Sequence, residues 1–207
     1  MKKLISLTCM VLASSYVGSA CADDSWYLGA LYSVQKISSG VKAQNLPSKI
    51  DLEAVGLLAG YKFNQYFSLE ARLAKGTSGY SETFVYLEQI APETYHNVDL
   101  DSQFSLLVKA SYPIYQSFSL YGIAGYTESR IKITGLGINN DYFNKFESVP
   151  YGHTRKDSGF SYGVGLNYQL TEEVNVFADY QVLPDYELGY DLSKDWGSTT
   201  IGVSYSF

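Results

Sequence analysis

Bulky apolar residues alternate one by one with small or polar ones along Gly159–Leu170. One face of such a strand carries Phe160, Tyr162, Val164, Leu166, Tyr168 and Leu170, and the other carries Ser161, Gly163, Gly165, Asn167 and Gln169. A period of two puts successive side chains on opposite faces of a β-sheet. The second face is too small and polar to make a dry core, yet it suits a wet or hydrogen-bonded interior. A soluble ligand-binding barrel keeps its apolar side chains inside, whereas a barrel embedded in lipid reverses the arrangement.

The same inversion recurs elsewhere. Val174, Val176, Ala178, Tyr180 and Val182 oppose Asn175, Phe177, Asp179 and Gln181, and Phe67, Leu69, Ala71 and Leu73 oppose Ser68, Glu70 and Arg72. A further strand sets Leu100, Ser102, Phe104, Leu106, Val108, Ala110 and Tyr112 against Asp101, Gln103, Ser105, Leu107, Lys109 and Ser111. On these apolar faces the one charge is Lys75, expected near an interface where its long stem can snorkel. A soluble β-sandwich would also alternate, but its polar faces would be solvent-exposed and its apolar faces would meet each other.

Eight alternating segments emerge: Ser25–Lys36, Leu52–Phe63, Phe67–Gly79, Val98–Pro113, Phe118–Ile133, Gly159–Leu170, Val174–Leu183 and Trp196–Phe207. Three connections are tight, at 64–66, 114–117 and 171–173, and the others, near 37–51, 80–97, 134–158 and 184–195, are long. With both termini on one side, every short turn falls on that side and every long loop on the other. The expected fold is therefore all-β, an eight-stranded antiparallel up-and-down transmembrane β-barrel with short periplasmic turns and four long extracellular loops. Phe63, Tyr66, Phe67, Tyr112, Tyr115, Phe118 and Tyr168 cluster around the short turns, while Tyr32, Tyr80, Tyr162, Tyr190 and Trp196 lie near the long loops. These two groups are expected to form aromatic girdles at the two membrane surfaces.

The first residues read as an export address. Lys2 and Lys3 precede a short apolar run, and Ala20-Cys21-Ala22 has the small-x-small form of a cleavage site, which predicts a signal peptide over 1–22 and a barrel domain over 23–207. The rival is a lipoprotein acylated at Cys21, although Gly18-Ser19-Ala20 lacks the bulky aliphatic residue expected upstream. Both cysteines, Cys9 and Cys21, fall in the removed segment, so the mature chain carries no thiol through an oxidising compartment. Without Lys2 and Lys3 the 15 basic residues become 13 against 21 acidic ones, a net charge of −8. That balance excludes nucleic acid as a partner, because phosphates demand a basic face. Past residue 22 no apolar run is long enough for a transmembrane helix.

Three stretches resemble the small outer-membrane β-barrel superfamily of OmpX/Ail type and OmpA-barrel type, porin-like proteins of Gram-negative bacteria. Leu57-Leu58-Ala59-Gly60-Tyr61-Lys62-Phe63 through Phe67-Ser68-Leu69-Glu70 is similar to its "GY-x-F, short turn, SLE" hairpin. Gly159 to Tyr180 is similar to its glycine-alternating strand and following "V-x-A-x-Y" strand, and Ile201-Gly202-Val203-Ser204-Tyr205-Ser206-Phe207 to its terminal strand. The resemblance implies location in the outer membrane after export through the periplasm. It also implies that Ile201, Val203, Tyr205 and Phe207 are read as an assembly signal by the barrel-assembly machinery.

Eight strands enclose a space just wide enough for side chains to fill, so a diffusion porin is not expected. The inward charges Glu70, Arg72, Lys109 and Asp179 sum to zero and sit at comparable depth, which predicts a paired plug in the lumen. Glu128, Arg130 and Lys132 lie higher and are expected to meet water. The two histidines, His96 and His153, fall outside the membrane strands, without the Ser–His–carboxylate arrangement of a nucleophilic enzyme or the ligand spacing of a metal site. Neither enzymatic activity nor a cofactor is expected. Aromatic residues in the long stretches, Tyr80, Phe84, Tyr86 and Tyr95 in one and Tyr142, Phe143, Phe146 and Tyr151 in another, suit a contact surface or mutual packing of loops. The function expected is structural or surface-interacting, an adhesion or host-contact role at the cell surface with an unidentified extracellular ligand. A narrow ion or small-solute path, and a lipid-modifying enzyme, are the alternatives from other classes.

Overall fold

The computed structural model describes residues 26–39, 49–84, 94–140, 146–185 and 194–207. Its strands are β1 (Trp26–Ser39), β2 (Lys49–Lys62), β3 (Phe67–Ser78), β4 (Tyr80–Phe84), β5 (Thr94–Tyr115), β6 (Phe118–Asn140), β7 (Phe146–Gln169), β8 (Val174–Leu183) and β9 (Lys194–Ser206). The sheet order β3-β2-β1-β9-β8-β7-β6-β5-β4 is completed by a further pairing of β3 with β5, so the sheet closes on itself. Beyond Gly79, β4 replaces β3 as the partner of β5, so the two form one stave and the ring has eight. No helix of the described residues is long and apolar enough to cross a membrane.

Closure joins the two ends of the chain. β1 and β9 pair without interruption from Tyr27↔Ser206 to Ser39↔Lys194, and the Phe207 N–H donates to the Trp26 carbonyl at 3.0 Å. The tight turns are built by side chains that mimic backbone. The Asn64 carboxamide oxygen accepts from the N–H groups of Tyr66 (2.8 Å) and Phe67 (2.9 Å), and the Thr171 hydroxyl oxygen accepts from Val174 N–H at 3.0 Å.

Burial follows parity. On β7 Phe160, Tyr162, Val164, Leu166 and Tyr168 are exposed on the outer wall while Ser161 and Gly165 are buried inside. Leu57, Leu73, Phe104, Leu106, Val108, Val176, Ile201 and Val203 continue the outer band. So much contiguous apolar surface exceeds what a soluble monomer exposes, and lipid is the medium that covers it.

The interior is layered. Small polar residues line the turn-side end, and above them lies a belt of charges and tyrosines. Next come hydroxyls and amides joined in a network. There Gln35 donates to Gln103 at 2.9 Å, Gln103 donates to Ser129 at 2.8 Å, and Gln181 donates to Ser161 at 2.9 Å. Across the far end an apolar cluster of Ile37, Leu52, Ala54, Leu100, Ile131, Leu183 and Trp196 closes the lumen.

Three expectations need correction. Trp196 does not join the outer girdle: it is 1% exposed, points inward, and donates its indole N–H to the Gln35 side-chain oxygen at 3.1 Å. The reason is parity, since it alternates in phase with the buried Ser198, Thr200, Ser204 and Ser206. Leu100 also faces in rather than out, because the β5–β6 register shifts between Leu100 and Ser102 and reverses the alternation above that point. The stretch 134–158 is mostly not loop. β6 and β7 stay paired from Phe118↔Tyr168 up to Asn140↔Phe146, forming a hairpin that rises past the rest of the ring. Tyr86, Tyr142, Tyr190 and the Phe143 of the predicted loop surface lie outside the described residues.

The closing cluster depends most on its largest member. Trp196→Ala is expected to lower the stability of the refolded barrel by about 3–5 kcal/mol through the cavity it leaves, measured by urea unfolding in bilayers. Ser198→Ala, one turn of the pleat lower, should cost far less.

Candidate functional site

β3 carries Glu70 and Arg72 on its inner face, two residues apart, and β8 brings Asp179 to them from the opposite wall. Arg72 Nε donates to Glu70 Oε1 at 2.6 Å, while its terminal nitrogens donate to Asp179 at 3.2 and 2.8 Å. The guanidinium is thus held by two carboxylates and lies 5.6 Å from the Phe177 ring centroid. Lys109 of β5 sits more loosely, its Nζ 4.0 Å from Glu70 and 3.9 Å from the Tyr121 ring centroid. The four charges expected to meet in the lumen are therefore brought together. All lie at depth, where an unmatched charge would be expensive.

Two tyrosines not singled out by sequence complete the belt. Tyr27 donates to Glu70 Oε2 and Tyr121 to Asp179 Oδ2, each at 2.8 Å. Each ring reaches its carboxylate by lying across a glycine of the neighbouring strand. A Cβ built on Gly60 would stand 2.1 Å from the Tyr27 ring, and one on Gly165 would stand 2.4 Å from the Tyr121 ring. The glycines thus serve as sockets, the use expected of glycine where another group approaches the backbone closely. The available signal was parity. Tyr121 is in phase with Ser119 and Ile123, but the opposite face of β6, with Gly122 and Ala124, is too small for the two faces to be told apart by sequence.

Below the belt, the turn-side end opens into a polar vestibule of about 250 Å³, lined by Lys62, Lys109, Ser111, Ser119, Asn167 and Ser204 among others. A much smaller void of about 10 Å³ lies above Arg72, between Ser33, Gln103 and Gln181.

The opposite end of the ring carries the rising hairpin. β8 pairs with β7 only up to Tyr162↔Val182, so among the described residues the β8-facing edge of β7 above that point has no strand beside it. The outer face there bears Glu128, Arg130 and Lys156, with Lys156 Nζ 2.9 Å and Arg130 3.4 Å from the Glu128 carboxylate. The hydrogen bond from Lys156 holds the Glu128 carboxyl below the usual carboxylate range. On the inner face Tyr151 hydrogen-bonds His96 and stacks with His153.

Ile201, Val203, Tyr205 and Phe207 all stand on the outer wall of β9, with Tyr205 and Phe207 packed edge to face at 5.1 Å. Ala20 and Ala22, the expected cleavage positions, lie outside the described residues.

Comparison with known proteins agrees with this geometry. The family model for the outer membrane protein beta-barrel domain matches residues 5–207. Outer membrane protein X of Escherichia coli K12 is 27% identical over 143 residues, which span 68% of this chain and 73% of that protein. Among solved structures, Neisserial surface protein A superimposes with a TM-score of 0.55 at 16% identity, covering 91% of this chain and all of that one. Ail, the attachment invasion locus protein of Yersinia pestis, in complex with the heparin analogue sucrose octasulfate, gives a TM-score of 0.52 at 17% identity, over 88% of this chain and 98% of that one. At these identities the solved structures speak to the fold.

Removing one partner of a buried ion pair leaves the others unmatched. Arg72→Ala strands Glu70 and Asp179 together and is expected to destabilise the barrel by about 3–5 kcal/mol. Urea titration of the refolded protein, read by tryptophan fluorescence and by the shift between folded and heat-unfolded gel bands, checks this. Arg130→Ala, on the exposed wall, should change stability by about 1 kcal/mol or less.

Proposed function

Because this chain belongs to the outer membrane protein beta-barrel family, and so resides in the bacterial outer membrane, we propose that it is a surface-interaction protein whose working element is the β6–β7 hairpin. One observation carries the reading: the hairpin continues far past the last β7–β8 pair, Tyr162↔Val182, and among the described residues no strand pairs with the β8-facing edge of β7 beyond it. An unpaired edge offers a row of backbone donors and acceptors that an extended segment of another protein can join. Exposed Tyr95, Val149 and Tyr126 and the charges of Arg130 and Lys156 supply side-chain contacts around it. That Ail has been crystallised with a sulfated heparin analogue is in keeping with ligand contact by barrels of this shape.

The reading assigns the chain neither a pore nor a reaction. It rests in this respect on the apolar cluster across the outer end, on the charge belt beneath it, and on the engagement of both histidines with Tyr151. Residues 1–22 act in it as the export signal, cleaved after Ala22, and the outer face of β9 as the signal for assembly.

Two experiments test the two halves. Replacing residues 132–154 by Asn-Gly, together with Arg130→Ala and Lys156→Ala, should leave a folded barrel in the outer membrane, with bacterial binding to host-cell monolayers or extracellular matrix reduced several-fold. Unchanged binding would remove the hairpin from the role. For assembly, Tyr205→Ser with Phe207→Ser should lower the folded protein in the outer membrane several-fold and raise periplasmic degradation. Ser204→Thr with Ser206→Thr should do much less, and equal tolerance of both pairs would count against the signal.

A further inference from the structure

Lys109 is only 12% exposed, yet among the described residues no group accepts a hydrogen bond from its ammonium. Its contacts are the distant Glu70 carboxylate at 4.0 Å and the faces of Tyr121 and Phe177 at 3.9 and 5.7 Å. Glu70 is already committed elsewhere, with one oxygen receiving Arg72 and the other Tyr27. An ammonium this little exposed usually finds protein acceptors for its donors. Here it opens instead onto the vestibule of about 250 Å³.

The rest of that cavity has the complementary chemistry. Lys62 lines it as a second cation, its Nζ donating to the Ser206 hydroxyl at 2.8 Å, and Ser68, Ser111, Ser119 and Asn167 add donors that can turn toward a guest. Glu172 stands among the lining residues on the turn β7–β8 as the acidic group nearest the entrance. The apolar cluster closes the other end, so a guest enters from the side of the short turns.

We infer that the vestibule is a binding site for a small oxyanion taken from the periplasm, with Lys109 as its principal ligand and Lys62 as the second cation. The chemistry is that of a carboxylate or phosphate group accepting charge-assisted hydrogen bonds from ammonium and hydroxyl donors. Inorganic phosphate and the free C-terminus of a short periplasmic peptide both present it. The inference is independent of the hairpin at the other end of the barrel.

The full barrel, refolded in dodecyl maltoside so that no lipid phosphate competes, would be titrated at constant ionic strength with inorganic phosphate, with acetyl-dialanine, and with the same dipeptide amidated at its C-terminus. Saturable binding of phosphate or of the free-acid dipeptide, measured by calorimetry, is expected, with none for the amide. Which of the two binds identifies the source. Lys109→Met should weaken binding by roughly tenfold or more, while Lys109→Arg should retain most of it. If Lys109→Met does not fold, the wild-type protein with ¹⁵N-labelled lysine still decides, because the buried ammonium resonance should shift in step with saturation. No saturable binding of either oxyanion, or equal affinity in wild type and Lys109→Met, would overturn the assignment.

Discussion

In hydrocarbon no water is available to satisfy a backbone N–H or C=O, so the pairing of β1 with β9 is the condition on which everything else in this molecule rests. A row of thirteen paired residues, Tyr27↔Ser206 to Ser39↔Lys194, converts a sheet with two open edges into a ring with none at membrane depth. Once the ring is closed, the usual logic of a fold is turned inside out. The outer wall takes the apolar residues because lipid accepts them, and the inner wall must satisfy itself in a space too narrow for a water column. The polar interior is therefore a consequence of closure.

That interior is organised by Arg72. Its guanidinium spans from β3 to β8, and the two carboxylates it meets are each steadied by a tyrosine hydroxyl from another stave. Four strands (β1, β3, β6 and β8) are thereby tied across the lumen by charge-assisted bonds, at a depth where they are shielded from salt. The arrangement needs Gly60 and Gly165, because a side chain at either position would push a tyrosine off its carboxylate. Glycine in these strands gives up packing of its own so that a ring from the next strand can use the space.

The sequence made this architecture legible where the two faces differ strongly. β7, with Val164 and Leu166 against Gly163 and Gly165, and β3, with Leu69 and Leu73 against Glu70 and Arg72, could be oriented from alternation alone, and the four lumen charges followed from it. Legibility fails in four physically distinct ways. Trp196 is an apolar residue on an inward face: its bulk points to an interface, whereas its phase with Ser198 and Thr200 points to the lumen. Leu100 turns inward through a one-residue irregularity, which leaves no trace in composition. The hairpin is hidden because strands that rise beyond the lipid, such as Gly152-His153-Thr154 on β7, carry polar residues on both faces and lose the contrast that makes alternation visible. The tyrosine belt depends on rings crossing between strands, which no single strand's pattern encodes.

The irregularity in β5 has a wider meaning. Below it Gln103, Ser105 and Leu107 point inward; above it Val98 and Leu100 do, and Asp99 and Asp101 face out. One extra residue has changed odd for even. The chain on either side of that position can thus obey two separate spelling rules, one for a wall against lipid and one for a wall against water. The extracellular part of the stave can be rewritten in its own phase without disturbing the letters that the membrane reads.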